Sequence, residues 1–236
     1  MLGQILRTIY KLLPPAPTTR YQWHKHVNPY DLQPSNPLIY DIGAKSARGR
    51  YSFGVPPLGA RLFCVDIAAG PGVDIVADAH DLHMIDDSSA DCVVAVGILL
   101  HCRDPDKVIS EFHRILKPGG VLYIAVPFIS PHPGHPAVFQ FFSMEGLEAR
   151  CADFEKIDCG FNRGPASTMS YLLVYFNSIL FSFNSKTLFA INIYVLSWLF
   201  FWIKYLDIFI ARYELARLFY TESYFIGRKL QLAVRE

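Results

Sequence analysis

The stretch DCVVAVGILLHCRDPDKVISEFHRILKPGGVLYIAVPF, residues 91–128, decides the fold. It opens with an apolar run at 91–96 and closes with another at 121–128. Both have the length and Val/Ile/Leu content of strands buried on two faces of a parallel sheet. Between them Asp104-Pro105 opens a helix, apolar residues recur at Val108, Ile109, Phe112 and Leu116, and KPGG ends it in a turn. Strand, helix and strand in this order form one unit of a doubly wound α/β sheet.

Working outward, further short apolar runs at 38–42, 62–67 and 73–77 supply three earlier strands. Residues 144–151 read as a short helix, and 154–161 and 222–233 as two late strands that pair at the sheet's edge. The expected division is a lead-in over 1–37, a core over 38–162, an apolar helical insertion over 163–221, and a last core strand with a tail over 222–236. The lead-in starts with MLGQILRTIYKLLPP, whose apolar residues at 2, 5, 6, 9, 12 and 13 have helical spacing ended by a proline pair. It lacks the long apolar centre and small-residue cleavage site of a signal peptide.

The formal net charge of +1 and the absence of a basic patch with interleaved aromatics argue against a nucleic-acid partner. Five cysteines without a C-x-x-C pair argue against a disulfide framework and for a reducing cytoplasm. Hydrophobic residues make up 52% and charged residues 18%, with the excess concentrated late in the chain.

In open α/β sheets, ligands bind beyond the carboxyl ends of the strands, where strand order reverses. The first run ends in LIYDIGAKSARG, residues 38–49, with Asp41 and Gly43; Lys45 and Ala47 stand where a dinucleotide loop has further glycines. No G-x-G-x-x-G follows, which disfavours a nicotinamide cofactor. The second run leads to Asp66, a carboxylate placed to accept two ribose hydroxyls. The third leads to Asp78 and Ala79, placed to meet an adenine amine. Three acidic strand ends suit an adenosine that carries a positive charge and suit a pyrophosphate poorly. Aspartates in such places also cap the helix or turn that follows.

The longer stretch DIVADAHDLHMIDDSSADCVVAVGILLHCRDPDKVISEFHRILKPGGVLYIAVPF, residues 74–128, resembles the core of class I S-adenosylmethionine-dependent methyltransferases, and most closely their type 11 subgroup. The matching features are the acidic strand end at Asp78, LHMIDDSSAD, LLHCRDP and RILKPGG, within a resemblance that runs over about 38–162. It implies S-adenosylmethionine as cofactor. Asp41 and Gly43 would line its methionine and ribose side, and Asp66 would hold the ribose. Asp78, Ala79 and Leu82 would frame the adenine, with Gly97 and Ile98 under the transferring methyl. The departures are the first loop, which keeps only Asp41 and Gly43 of D-x-G-x-G-x-G, and Leu100 where the family often has an acid. They make a catalytically inactive binding or scaffold protein the second reading.

Methyl transfer needs a base only where the acceptor must lose a proton. Candidates are His101, assigned the catalytic role, and His132 and His135 in SPHPGHP. A histidine opening a helix can equally cap or pack. Two histidines in a proline-rich loop do not make a metal site, and none is assigned.

The insertion points to the substrate. Between Tyr171 and Ile210 only Lys186, Lys204 and Asp207 are charged, and Thr187–Ile203 carries no charge over 17 residues. Ser197, Lys204, Asp207 and Glu214 draw one narrow polar stripe on an otherwise apolar helix. If both flanking strands share one sheet, a single spanning helix is excluded. The pattern fits a helical pair dipping into one leaflet at 165–220, an apolar cap over the site, or a homodimer face. Relatives with apolar extensions are associated with glycans, lipid-linked intermediates and quinone-like lipids. The resemblance thus implies O-methylation of a small or lipid-linked acceptor, by an enzyme peripheral to the membrane.

Overall fold

In a computed structural model of the protein, which describes residues 27–44, 49, 51, 54–132 and 136–230, seven strands form one sheet in the order β3-β2-β1-β4-β5-β7-β6. They are β1 (Leu38–Ile42), β2 (Arg61–Asp66), β3 (Ile75–Val76), β4 (Ala90–Val96), β5 (Leu116–Pro127), β6 (Phe154–Arg163) and β7 (Glu222–Lys229). The first five run parallel and β7 pairs antiparallel with β5, with β6 beyond it at the edge. This is the doubly wound sheet the sequence implies, with the antiparallel edge pair and with the insertion entering after β6 and returning as β7. The N-terminal helix expected within 1–13, Lys45, Ala47, His135 and the tail from 231 lie outside the described residues.

Successive residues of a strand point to opposite faces, and here both faces are buried. Tyr40, Ile42, Val93, Ala95, Leu122 and Ile124 pack on one side with helix α1 (Pro105–Ile115). Ile39, Cys92, Val94, Val121 and Tyr123 pack on the other with Tyr30. This explains the unbroken apolar runs. It also explains the cysteines: none of the five is in a disulfide, and burial pushes the Cys102 and Cys159 thiols up to about 11.

Helix α1 starts as its sequence requires. The Asp104 carboxylate accepts from Lys107 N–H at 3.1 Å, and Pro105 takes a first-turn position where no amide donor is needed. Val108, Ile109, Phe112 and Ile115 form its buried face. Leu116, expected on the helix, instead opens β5 and pairs with Ala90. KPGG is therefore a bulge inside the strand rather than a stop before it, since the register jumps from Ala90↔Leu116 to Cys92↔Val121. Gly119 takes a φ of +82°, and a Cβ on Gly120 would lie 2.9 Å from the Lys117 carbonyl, so both glycines are needed there. Lys117 and the Leu38 amide both donate to Asp91, at 2.7 and 2.8 Å, which ties the bulge to the start of β1. Helix α2 (Met144–Arg150), capped by Ser143, completes this unit.

Residues Arg163–Thr221, with 129–131, form a second compact unit. It contains helix α3 (Pro165–Leu180), helix α4 (Lys186–Phe200), a 3-10 turn over Phe201–Leu206, and the single-turn helix α5 (Asp207–Ile210). Asp207 is fully buried, and its two carboxylate oxygens accept from the Ala166 and Ser167 amides at 2.8 and 2.9 Å. A distant residue thus caps α3, whose own N-cap is Gly164 and offers no side chain. Gly164 is dictated by that contact, because a Cβ there would sit 2.6 Å from an Asp207 oxygen.

Candidate functional site

The sheet's order reverses between β1 and β4, so a crevice opens beyond their carboxyl ends. In register, Ile42 pairs with both Val65 and Ala95, which brings Gly43, Asp66 and the residues after Val96 to the same level. The Gly43 amide donates to the Val65 carbonyl at 2.7 Å and the Gly97 amide to the Ala125 carbonyl at 2.8 Å. Both glycines have positive φ, +76° and +70°. A Cβ on Gly43 would meet Ile98 at 3.1 Å, so these two residues close one wall of the crevice. A Cβ on Gly97 would meet nothing within 4 Å. The backbone therefore borders open space there, between partly buried Val96 and Ile98. That is the room a ligand approaching the end of β4 requires.

The expected carboxylates are placed unequally around this crevice. Asp66 is partly exposed at the end of β2. One of its oxygens accepts from the Ala68 amide at 3.1 Å, and among the described residues the other accepts no hydrogen bond. Asp78 is exposed beyond β3, and it accepts from the backbone N–H of His80 at 2.9 Å and from its Nδ1 at 2.6 Å. The hydrogen bond from the His80 backbone, aided by the ring, holds its carboxyl below the usual range. The Asp104 amide donates to His80 Nε2 at 3.4 Å, which fixes the proton on Nδ1 and links the β3 loop to the start of α1.

Asp41 differs. It is fully buried, with one oxygen accepting from the Gly49 amide at 2.7 Å and the other from the Tyr51 hydroxyl at 2.6 Å. Burial pushes its carboxyl up against the lowering effect of these two donors. Its role is to hold Gly49 and Tyr51 against β1, two residues from the crevice wall. Leu82 is likewise fully buried, within the core; its amide donates to Glu111 at 2.7 Å and its carbonyl accepts from Arg114 at 2.8 Å. Its side chain presents no surface to a ligand. Ala79 packs against the same core. Tyr51, His80, Glu111 and Arg114 carry the local architecture, and no sequence spacing pointed to Tyr51, His80 or Glu111.

His101 ends a 3-10 turn, Leu99–His101, just past Ile98. Its ring Nδ1 lies 2.8 Å from the Ala137 carbonyl, which can only accept. In the neutral ring the proton is therefore on Nδ1 and the lone pair on Nε2, the tautomer a general base needs. His132 is exposed. No group of three or more His, Cys, Asp or Glu placed to hold a metal occurs among the described residues. A broad cleft of about 850 Å³ lies between α1 and α2, lined by Asp106, Ile109, Phe128, Gln140, Phe142 and Arg150 among others. It includes none of Asp41, Gly43, Asp66, Asp78, Gly97, Ile98 and His101.

This sheet order, with its crevice at the β1/β4 reversal and acidic ends on β2 and β3, defines a class I S-adenosylmethionine-dependent methyltransferase fold. Residues 41–124 match the methyltransferase domain family of type 11. Among curated proteins, the thiol S-methyltransferase TMT1B of Homo sapiens is 41% identical over 49 residues, and that of Rattus norvegicus is 43% identical over 49. Each match covers 21% of this chain and 20% of the relative, so the chain spans about a fifth of the length of the curated relatives it matches. Among solved structures, a Burkholderia thailandensis 1,6-didemethyltoxoflavin-N1-methyltransferase with bound S-adenosylhomocysteine has a TM-score of 0.50. It is 15% identical, with 84% of this chain and 72% of that one covered. The [4+2]-cyclase SpnF has a TM-score of 0.51 at 16% identity, over 83% of this chain and 75% of that one. Likeness at this level is likeness of fold, and the second example carries a different reaction on it.

Proposed function

We propose that the protein transfers a methyl group from S-adenosylmethionine to an oxygen of a small or lipid-linked apolar acceptor at a membrane surface. The observation that carries this reading is the crevice at the β1/β4 reversal, where Gly97 borders open space and Gly43, Ile98 and Asp66 stand at one level. These residues fit an adenosine cofactor. Asp66 has an oxygen left to accept from ribose hydroxyls, and exposed Asp78 is within reach of an adenine amine at the next strand end. The cofactor, when bound, supplies an electrophilic methyl on a sulfonium. The acidic strand ends favour that positive charge.

Within this reading His101 is the base. Its Nε2 would take the acceptor's hydroxyl proton, and the Ala137 carbonyl would hold the ring by its Nδ1–H as the ring becomes cationic. A second reading, favoured by the 49-residue match to thiol S-methyltransferases, takes a thiol acceptor. The same base serves it, and less is asked of that base because a thiol loses its proton more readily.

The test is transfer of labelled methyl to detergent-dispersed apolar alcohols, phenols and thiols, by wild type and His101→Gln. We expect kcat to fall about 100-fold or more in the variant, with its pH dependence flattened and S-adenosylhomocysteine affinity retained. A fall of less than threefold removes His101 from the reaction. No transfer to any acceptor, with cofactor binding intact, favours the inactive scaffold.

A further inference from the structure

The insertion is built inside out. Ser167, Thr168, Ser170, Ser178, Ser197, Lys204 and Asp207 are buried, whereas Phe176, Ile179, Phe183, Val195, Leu199 and Trp202 are more than half exposed. Helix α4 buries a single residue, Ser197. The polar stripe read from the sequence thus turns inward over Ser197, Lys204 and Asp207, and only Glu214 of that set is exposed. We infer that α3, α4 and the turn between them are an integral monotopic hairpin whose outer surface is embedded in the hydrocarbon of a bilayer. This rests on the membrane-surface reading above and deepens it.

Three observations favour lipid over a second copy of the chain. A protein interface covers one face of a helix, but Tyr194 and Leu199 are both exposed and lie about 140° apart around α4. The apolar exposure also continues over the turn, where Phe181 and Phe183 are exposed, the latter by 83%. Beside the Tyr175–Phe189 ring contact the helices meet through small hydroxyl residues, as helix pairs in lipid do, with the Ser170 hydroxyl donating to the Phe200 carbonyl at 2.9 Å.

The hairpin enters and leaves at one point, since the Thr221 amide donates to the Arg163 carbonyl at 3.2 Å and the Thr168 and Thr221 hydroxyls lie 2.8 Å apart. The continuous stretch Lys186–Ile210 is long and apolar enough to cross a membrane, by length and composition. Its partner α3 has 16 residues, about 24 Å, short of the roughly 30 Å hydrocarbon core. The pair therefore penetrates and returns, and the aromatic turn is its deepest part.

The test uses the full chain in phosphatidylcholine vesicles with acyl chains brominated at defined depths. Trp23→Phe leaves Trp198 and Trp202 as the only indoles. We expect chain-brominated lipid to quench their emission at least twofold. We also expect vesicle association to survive high salt, and Phe183→Asp to reduce it at least tenfold while Phe183→Leu retains it. Absence of quenching, release by salt, or a lipid-free stable dimer that hides the same residues would overturn the assignment. S-adenosylhomocysteine affinity measured on the same samples reports the proposed reaction separately. Loss of insertion with intact cofactor binding defeats the hairpin alone.

Discussion

Gly97→Leu is expected to weaken S-adenosylhomocysteine binding by more than 100-fold, and Gly97→Ala by much less. Both variants impose a side chain at φ +70°, at a cost of about 1–2 kcal/mol in stability. They therefore share the backbone penalty and differ in the volume that they put into the open space beside the end of β4. A graded loss of binding at equal loss of stability, measured by calorimetry and chemical denaturation, places the ligand in that space. Equal affinity in the two variants would mean that the ligand lies elsewhere.

Arg114→Ala is expected to lower stability by about 2–3 kcal/mol. The Arg114 guanidinium donates to both oxygens of Glu111 at 2.9 and 3.0 Å, to the Ile85 and Leu82 carbonyls at 3.0 and 2.8 Å, and to Asp87 at 2.5 Å. It thereby fastens the β3–β4 loop onto α1. Removal strands the Ile85 carbonyl, takes one of two donors from the Leu82 carbonyl, and leaves Glu111, which also accepts the Leu82 amide, without its counter-ion. The hydrogen bond from Arg114 holds the Glu111 carboxyl below its usual range. A folded-state pKa below the unfolded one contributes stability above the unfolded value of about 4.3 and loses it as pH falls through the folded value. Wild type should therefore show a steeper acid loss below about pH 4 than Arg114→Ala. Denaturation midpoints between pH 7 and pH 3 check both the size and the slope, and a variant within 0.5 kcal/mol of wild type at pH 7 would contradict this role.

The motif RILKPGG thus has a structural meaning that its letters do not display. Its arginine clamps a loop 27 residues away, its lysine reaches Asp91, and its glycines fold a bulge into a strand that continues through them. Apolar run length revealed the strands because burial on both faces demands it. It could not reveal that Leu116 pairs again with Ala90 before the bulge, since that depends on the neighbouring strand. Likewise the two-residue β3 is shorter than its apolar run, because only Val65 and Asp66 offer partners.

The strand-end aspartates were legible as a set, but their individual environments were not. Asp66 keeps an oxygen available, whereas Asp41 is consumed by Gly49 and Tyr51, a contact across ten residues with no periodic signature. In the insertion, periodicity grouped Ser197, Lys204 and Asp207, which are all buried, with Glu214, which is exposed. Which side of the helix faces outward depends on what the stripe meets, and here Asp207 meets the amide ends of α3. Capping a helix end buries a charge that would otherwise mark a solvent-facing surface.

Calorimetric titration with S-adenosylhomocysteine asks whether the crevice at the β1/β4 reversal binds the adenosine part of S-adenosylmethionine. Wild type is expected to bind saturably, with affinity weakened at least about tenfold in Asp66→Ala by the loss of charge-assisted bonds to the ribose. A demonstrably folded wild-type protein that binds nothing up to millimolar ligand, or an Asp66→Ala variant that binds as tightly as wild type, would contradict that binding site.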